Sequence, residues 1–178
     1  GGIGIIVIAI AIFPILKSGG MQLFQSEFSS KEEKVLPRTT KIATGIGLVY
    51  IILTFVCSVL LKLSGMSLFD SIAHGMTIIA TGGFSTKDMS IGFFDSLYTE
   101  IVTIFFMILS SLPFILLFQS MRGKLIDLIT SSQVQFFLIL IFLVTIFVSF
   151  WLKRYYEVDF FQSLRISAFA VVSISFGC

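Results

Sequence analysis

The chain has 178 residues, of which 56% are hydrophobic and 12% charged, with a mean hydropathy of +1.04 and a formal net charge of +2. Soluble domains are about a quarter charged, so the length here is spent on membrane spans and not on a globular core. The small charge and the lack of basic residues interleaved with aromatics exclude nucleic acid as a partner, and Cys57 and Cys178 match no metal-ligand spacing.

The chain opens on Gly1-Gly2-Ile3-Gly4 with no initiator Met and no basic n-region, so no cleavable signal is expected in it, and it is expected to be cut from something longer at both ends. Residues 1–16 are apolar over about half a span and predict the end of a helix begun upstream, partial at about 3–16, with Pro14 near its close. Residues 17–41 are polar, with Lys17, Lys31, Lys34, Arg38 and Lys41 against Glu27, Glu32 and Glu33. Thr44 to Leu61 is charge-free, predicts a span at about 44–62, and places Cys57 as a small buried hydrophobe. Ser67 to Ala80 is apolar but too short to cross a bilayer, so it predicts a half-membrane helix near 68–78 that runs into Thr81-Gly82-Gly83-Phe84. After a polar stretch, Ile101 to Gln119 predicts a second span at about 98–119, kinked at Pro113. Arg122 to Asp127 is a charged turn, and Leu128 to Leu152 predicts a third span at about 130–152. Phe160 to Ile174 predicts a second half-membrane helix, followed by Ser175-Phe176-Gly177-Cys178.

The fold class that follows is an all-α membrane protein built from span–pore helix–span repeats, with re-entrant half-helices and glycine filter turns. The pattern over 42–119 is complete and starts again over 128–178. Thr77-Ile78 corresponds to Ser173-Ile174, and Gly82 then corresponds to Cys178. Such repeats surround a shared axis or site. The segments 17–41 and 120–127 hold seven basic residues, whereas Lys62, Lys87, Lys153 and Arg154 are mixed with acids. The first pair is therefore expected on the cytoplasmic side, and both half-helices enter from outside.

A half-helix followed by glycine-rich backbone is the way a cation pore presents carbonyls to a dehydrated ion. Irregular backbone at that depth is tolerated only where it lines a water-filled cavity. The candidate ion-binding carbonyls are those of Thr77, Ile78, Ile79, Ala80, Thr81, Gly82 and Gly83. Gly82 and Gly83 can reach positive φ without a Cβ penalty, Phe84 is expected to wedge behind the strand, and the C-terminal end of the helix dipole favours a cation. The competing reading is an ordinary Gly-Gly turn. Asp70, Asp88, Asp95 and Glu100 lie toward the outer mouth, where acids either concentrate cations or form a solvated loop face. His74 stands alone and is expected to be packed or hydrogen-bonded. Arg165 is expected to snorkel outward, with Asp159 or Glu157 as an ion-pair partner. Ser110-Ser111-Leu112-Pro113 loosens the backbone ladder in mid-span. No nucleophile–base pair, carboxylate pair or phosphate loop points to an enzyme.

Gly1-Gly2-Ile3-Gly4-Ile5-Ile6-Val7, Gly19-Gly20-Met21-Gln22-Leu23-Phe24, Pro37-Arg38 and Ala80-Thr81-Gly82-Gly83-Phe84-Ser85-Thr86 follow one another as in a known family. The chain resembles, over essentially its whole length, the TrkH/TrkG/KtrB potassium-transport subunits of bacteria, and the TrkH branch most. The resemblance implies four repeats around one pore in the bacterial cytoplasmic (inner) membrane, multi-pass, with potassium as substrate and no cofactor. This chain would hold the end of repeat one (1–16), a cytoplasmic loop (17–41), all of repeat two (42–119), a cytoplasmic turn (120–127) and an incomplete repeat three (128–178). Gly83 would be the filter glycine of repeat two, and Ser175, Phe176, Gly177 and Cys178 the start of an unfinished third filter. The implied partners are membrane lipid, the missing remainder of the transporter, a second copy of the full-length subunit in a homodimer, and a cytoplasmic nucleotide-binding regulatory subunit of TrkA type. Ser26 to Lys34 is either that subunit's contact or a plain linker. The alternatives are a truncated remnant that does not conduct, surviving as a structural membrane fragment, and a sodium-selective relative. Residues 1–178 alone are not expected to conduct.

Overall fold

The computed structural model describes residues 36–121, 123, 125–156 and 159–176. The expected helix at 3–16 and most of the loop at 17–41 lie outside them. Two compact units, 1–52 and 53–178, meet inside the first helix. The described elements are α1 (Leu36–Leu63), α2 (Leu68–Ile79), a 3-10 helix (Ser90–Phe94), α3 (Leu97–Ser110), α4 (Phe114–Met121), α5 (Leu125–Thr130), α6 (Ser132–Tyr156) and α7 (Phe160–Phe176). The described residues contain no strand.

Helix α1 starts at Leu36, so Pro37, Arg38 and Lys41 begin a helix instead of closing a loop. Proline is tolerated there because the first turn has no acceptor for its missing N–H. The part of α1 from Ala43 to Leu63 is long and apolar enough to cross a membrane, as is α6. At the end of α1 the Ser64 N–H donates to the Leu60 carbonyl at 3.1 Å, and Gly65 reverses the chain at φ 101°.

Ser67 then starts α2. Its Oγ accepts the Asp70 N–H at 3.0 Å, and its hydroxyl donates to the Asp70 carboxylate at 2.8 Å. This reciprocal cap resembles a capping box with Asp in place of Glu. Helix α2 crosses α1 at Gly75, where a Cβ would overlap Ser58 Oγ and lie 3.1 Å from Ser58 Cβ and N.

The expected single span at 98–119 is two helices. Helix α3 has 14 residues, a length of about 21 Å against a hydrocarbon core of about 30 Å. Pro113 cannot donate, and the chain breaks rather than kinks. The Leu109 carbonyl takes the Leu112 N–H at 3.3 Å, and the Pro113 carbonyl opens α4 by accepting from Leu116 at 2.9 Å. The hydroxyls of Ser110 and Ser111 both donate to the Met107 carbonyl, at 2.9 and 2.6 Å. Both hydroxyls are thus satisfied on the last turn of α3, on a carbonyl that also accepts the Ser111 N–H at 3.2 Å.

Helices α6 and α7 form an antiparallel hairpin. Phe150 meets Phe160 at one end, with ring centroids 6.1 Å apart, and Phe137 meets Phe176 at the other, at 5.4 Å. Thr145 and Ser149 of α6 and Ser163 and Ser167 of α7 are buried, whereas Phe136, Phe142 and Phe147 are exposed. Small polar residues inside and large apolar ones outside is the pattern of helices packed in lipid, where small side chains let backbones approach.

The Gly75 crossing is testable. Gly75→Ala should cost about 1–3 kcal/mol of stability by overpacking. Adding Ser58→Gly should recover part of it, because the overlap is with Ser58 alone. Thermal unfolding in detergent measures both, and wild-type melting of Gly75→Ala would refute the contact.

Candidate functional site

Helix α2 ends in a Schellman turn. The Gly82 N–H donates to the Thr77 carbonyl at 2.8 Å, and the Thr81 N–H donates to the Ile78 carbonyl at 3.2 Å. The left-handed position of that turn belongs to Thr81, at φ 49°, and a second positive φ falls on Gly83, at 69°. The expectation that Gly82 and Gly83 supply the unusual backbone therefore holds for Gly83 only. Left-handed φ in a β-branched residue is strained, and such strain persists only where the surroundings over-determine it.

The Ile78 carbonyl also receives Ser110 Oγ at 3.3 Å, so the break in α3 touches the end of α2. The carbonyls of Thr77 and Ile78 are thus engaged in closing the helix. From Thr81 to Thr86 the chain is exposed, and residues 82–85 have no regular structure. Phe84 is 75% exposed, and its ring lies 3.5 Å from where a Gly82 Cβ would be.

The next residues return to the start of α2. Thr86 Oγ1 donates to the Asp70 carboxylate at 2.6 Å, and Lys87 Nζ stands 3.6 Å from it. Ser85 Oγ is 2.9 Å from His74 Nε2. The His74 ring packs edge-on against Phe94, and Lys87 lies over Phe93. Asp70 is therefore not a free charge at the mouth: it is 6% exposed and bonded within the chain. His74 is packed and hydrogen-bonded, as a lone histidine in an apolar helix should be. This group of contacts was not read from the sequence. The signal for it is Asp70 and His74 four residues apart on one face of an otherwise apolar half-helix, with Ser85-Thr86 downstream.

Glu100 is likewise engaged. Arg165 of α7 meets it through two parallel bonds, Nε to Oε2 at 2.6 Å and Nη2 to Oε1 at 2.7 Å. The expected partners Asp159 and Glu157 are replaced because α7 packs against α3 and brings the guanidinium to the first turn of that helix. Among the described residues no group of three His, Cys, Asp or Glu could hold a metal ion.

Comparison with known proteins places this geometry. The family model for TrkH, described as a cation transport protein, matches residues 1–135. The chain belongs to the TrkH family. The Trk system potassium uptake protein TrkH of Halomonas elongata is 37% identical over 180 residues, covering 98% of this chain and 37% of the relative. TrkH of Escherichia coli (strain K12) is 43% identical over 126 residues, 70% of this chain and 26% of the relative. The crystal structure of the potassium transporter TrkH from Vibrio parahaemolyticus superposes with a TM-score of 0.77 at 30% identity, over 98% of this chain and 35% of that one. The chain thus spans about a third of the length of the TrkH proteins it matches. It is an all-α membrane protein of a transporter family, not of an enzyme family.

In this TrkH-family chain the second half-helix, α7, ends at Phe176, with Ser175 Oγ donating to the Val171 carbonyl at 2.7 Å. In the register Thr77-Ile78 to Ser173-Ile174, α2 and α7 end within one residue of each other. Ser175 and Phe176 close the helix, and Gly177 and Cys178 lie outside the described residues.

The two glycines should respond differently. Gly83→Ala forces an L side chain into the left-handed region and should cost about 1–2 kcal/mol. Gly82→Ala places a Cβ at ordinary contact distances of 3.5 and 3.7 Å from Phe84 and the Thr77 carbonyl, so stability should change by less than about 0.5 kcal/mol. Melting temperatures in detergent separate the two, and equal shifts would refute the assignment of the strained position.

Proposed function

We propose that this chain forms part of the pore of a Trk-type potassium uptake system in the bacterial cytoplasmic membrane. Residues 42–119 are one complete span–pore helix–span repeat, and 128–178 begin the next. Residues 1–16 end the preceding repeat, with 17–41 and 120–127 on the cytoplasmic side. The ion passes the backbone of Thr77, Ile78, Ile79, Ala80, Thr81, Gly82 and Gly83, and Phe84 supports that strand. Ser175, Phe176, Gly177 and Cys178 lead into the corresponding turn of the next repeat. One observation carries the proposal: a 12-residue helix, too short to span, ends in a Schellman turn and an exposed irregular segment with two positive φ values. The Schellman turn alone accounts for Thr81, whereas the further positive φ at Gly83, in chain that is exposed and irregular, suits a carbonyl filter, which needs consecutive oxygens aimed at one axis.

The ion does not need all seven carbonyls equally. The Thr77 carbonyl accepts from Gly82 and keeps one lone pair, whereas that of Ile78 accepts from both Thr81 and Ser110 and has none left to offer. The dipole of α2 adds a modest attraction for a cation at this end. Potassium is the cargo and no cofactor takes part. The whole transporter would be multi-pass and dimeric, with a nucleotide-binding regulatory subunit of TrkA type on the cytoplasmic side, where the basic segments collect.

Two measurements test the proposal. In a full-length transporter carrying these residues, Gly83→Ser or Gly83→Asp should lower potassium uptake or potassium-over-sodium preference at near-normal expression. Growth and uptake of a potassium-transport-deficient host at limiting potassium is the assay, and unchanged uptake with unchanged preference would end the filter assignment. For orientation, cysteines placed one at a time at Lys31 and Asp88 should differ toward an impermeant thiol reagent applied to intact cells. Asp88→Cys should label and Lys31→Cys should not. The reverse pattern would invert the topology.

A further inference from the structure

We propose that Asp70 and His74 are positioning residues for the filter: they anchor Ser85 and Thr86 to α2 and so fix the backbone between the helix end and that anchor. This inference rests on the reading of Thr77–Gly83 as an ion filter.

The chain leaves α2 at Ala80 and comes back to the same helix five residues later. Its near end is held by the Schellman bond from Gly82 N–H to the Thr77 carbonyl. Its far end is held at Ser85 by His74 and at Thr86 by Asp70. Only Gly83 and Phe84 lie between the two anchors. Four residues of extended chain reach about 13 Å, and the helix rises about 7.5 Å from His74 to Ile79 and about 13.5 Å from Asp70. The returning segment therefore runs back alongside α2 with little slack. Lengthening or releasing the far anchor lets the carbonyls of 82–84 turn.

The hydrogen bonds define how the anchor is made. His74 Nδ1 lies 2.8 Å from the Asp70 carbonyl oxygen. A carbonyl only accepts, so Nδ1 carries the proton. In the neutral ring Nε2 then accepts, and the Ser85 hydroxyl donates to it. Ser85 Oγ in turn accepts the Lys87 N–H at 3.1 Å, so the hydroxyl gives one bond and takes one. The ring is fixed in its own helix by one nitrogen and holds the returning chain with the other. His74 is 1% exposed, which removes competing water. Asp70 does the parallel task with charge. Its carboxylate receives Thr86 and Ser67 hydroxyls and faces the Lys87 ammonium. The N-terminal cap of α2 and the far anchor of the filter thus share one carboxylate.

The test uses a full-length transporter carrying these residues, with His74→Leu, Ser85→Ala, the double variant, and His74→Gln, whose amide can still reach Ser85. Gly83→Ser is the reference for the filter itself. Potassium-over-sodium preference and the apparent KM for potassium are read beside expression and maximal uptake. His74→Leu and Ser85→Ala should each lower the preference about threefold to tenfold, the equivalent of one net hydrogen bond, while maximal uptake stays within about twofold. The double variant should be no worse than His74→Leu, and His74→Gln should recover most of the loss. Wild-type preference and KM in Ser85→Ala would overturn the inference, as would losses that simply add in the double variant. Should His74→Leu fail to accumulate, the exposed Ser85→Ala decides alone. If Gly83→Ser changes nothing, the filter reading itself falls. If Gly83→Ser impairs selectivity and Ser85→Ala does not, only the anchoring role falls.

Discussion

A helix that stops partway across a membrane must satisfy its last carbonyls without bulk water. The end of α2 meets this demand with the two N–H groups of a Schellman turn and one hydroxyl from α3. Everything unusual nearby follows. The turn requires a left-handed residue, and here it is Thr81. A strained threonine needs the chain after it to be held, and Asp70 and His74 hold it. The hydroxyl requires α3 to present a polar group at the same depth, and the break before Pro113 puts Ser110 there. The bonds that close α2 are therefore also the ones that fix the candidate filter.

The break in α3 is the second consequence. Ser111 donates to its own i−4 carbonyl, as it would in a continuous helix, whereas Ser110 donates to the i−3 carbonyl and reaches beyond its own helix. With the ladder ended at Ser110, the Met107 carbonyl collects both hydroxyls, and Ser110 also reaches Ile78. The break between α3 and α4 and the end of α2 are thus in direct contact. No intervening side chain is needed to relate a change at one to a change at the other.

Much of this was legible in the sequence because membrane solvent leaves few options. Uncharged runs located α1 and α6, and shorter apolar stretches carrying one charge each located α2 and α7, to within a few residues, apart from the N-terminal end of α1, which reaches back to Leu36. Length separated α2 from α1 and α6, but not α7, with 17 residues, from α3, with 14. The TrkH resemblance rested on motifs such as Ala80-Thr81-Gly82-Gly83-Phe84-Ser85-Thr86 and held. What composition could not reveal was set by geometry between elements. Pro113 forbids one hydrogen bond, but whether a helix bends or breaks depends on which neighbour takes the freed carbonyl, and here the Leu112 N–H takes that of Leu109 in a tighter turn. Gly82 and Gly83 look equivalent as letters, yet the register of the Schellman turn assigns the strained positions to Thr81 and Gly83. The acids read alike as well. Asp70 and Glu100 each found a long-range partner, at Thr86 and Arg165, that hydropathy cannot anticipate.

The Glu100–Arg165 pair shows what such partners add. Glu100 stands in the first turn of α3, and Arg165 lies in α7, 65 residues later in the chain. Around this pair the seam between α3 and α7 and that between α6 and α7 are lined by small residues. The buried hydroxyls of Thr99, Thr103, Ser149, Ser163 and Ser167 have no hydrogen-bond partner among the described residues. They serve as small side chains that let helices approach, which gives closeness but little direction. The bidentate pair supplies the direction, because a planar guanidinium meets a carboxylate in one plane and at one distance. Close packing sets how near α3 and α7 lie, and the ion pair ties the first turn of α3 to one side chain of α7. A filter assembled from separate repeats needs both, since carbonyls from neighbouring turns reach one ion only if each half-helix is held at the correct depth and angle.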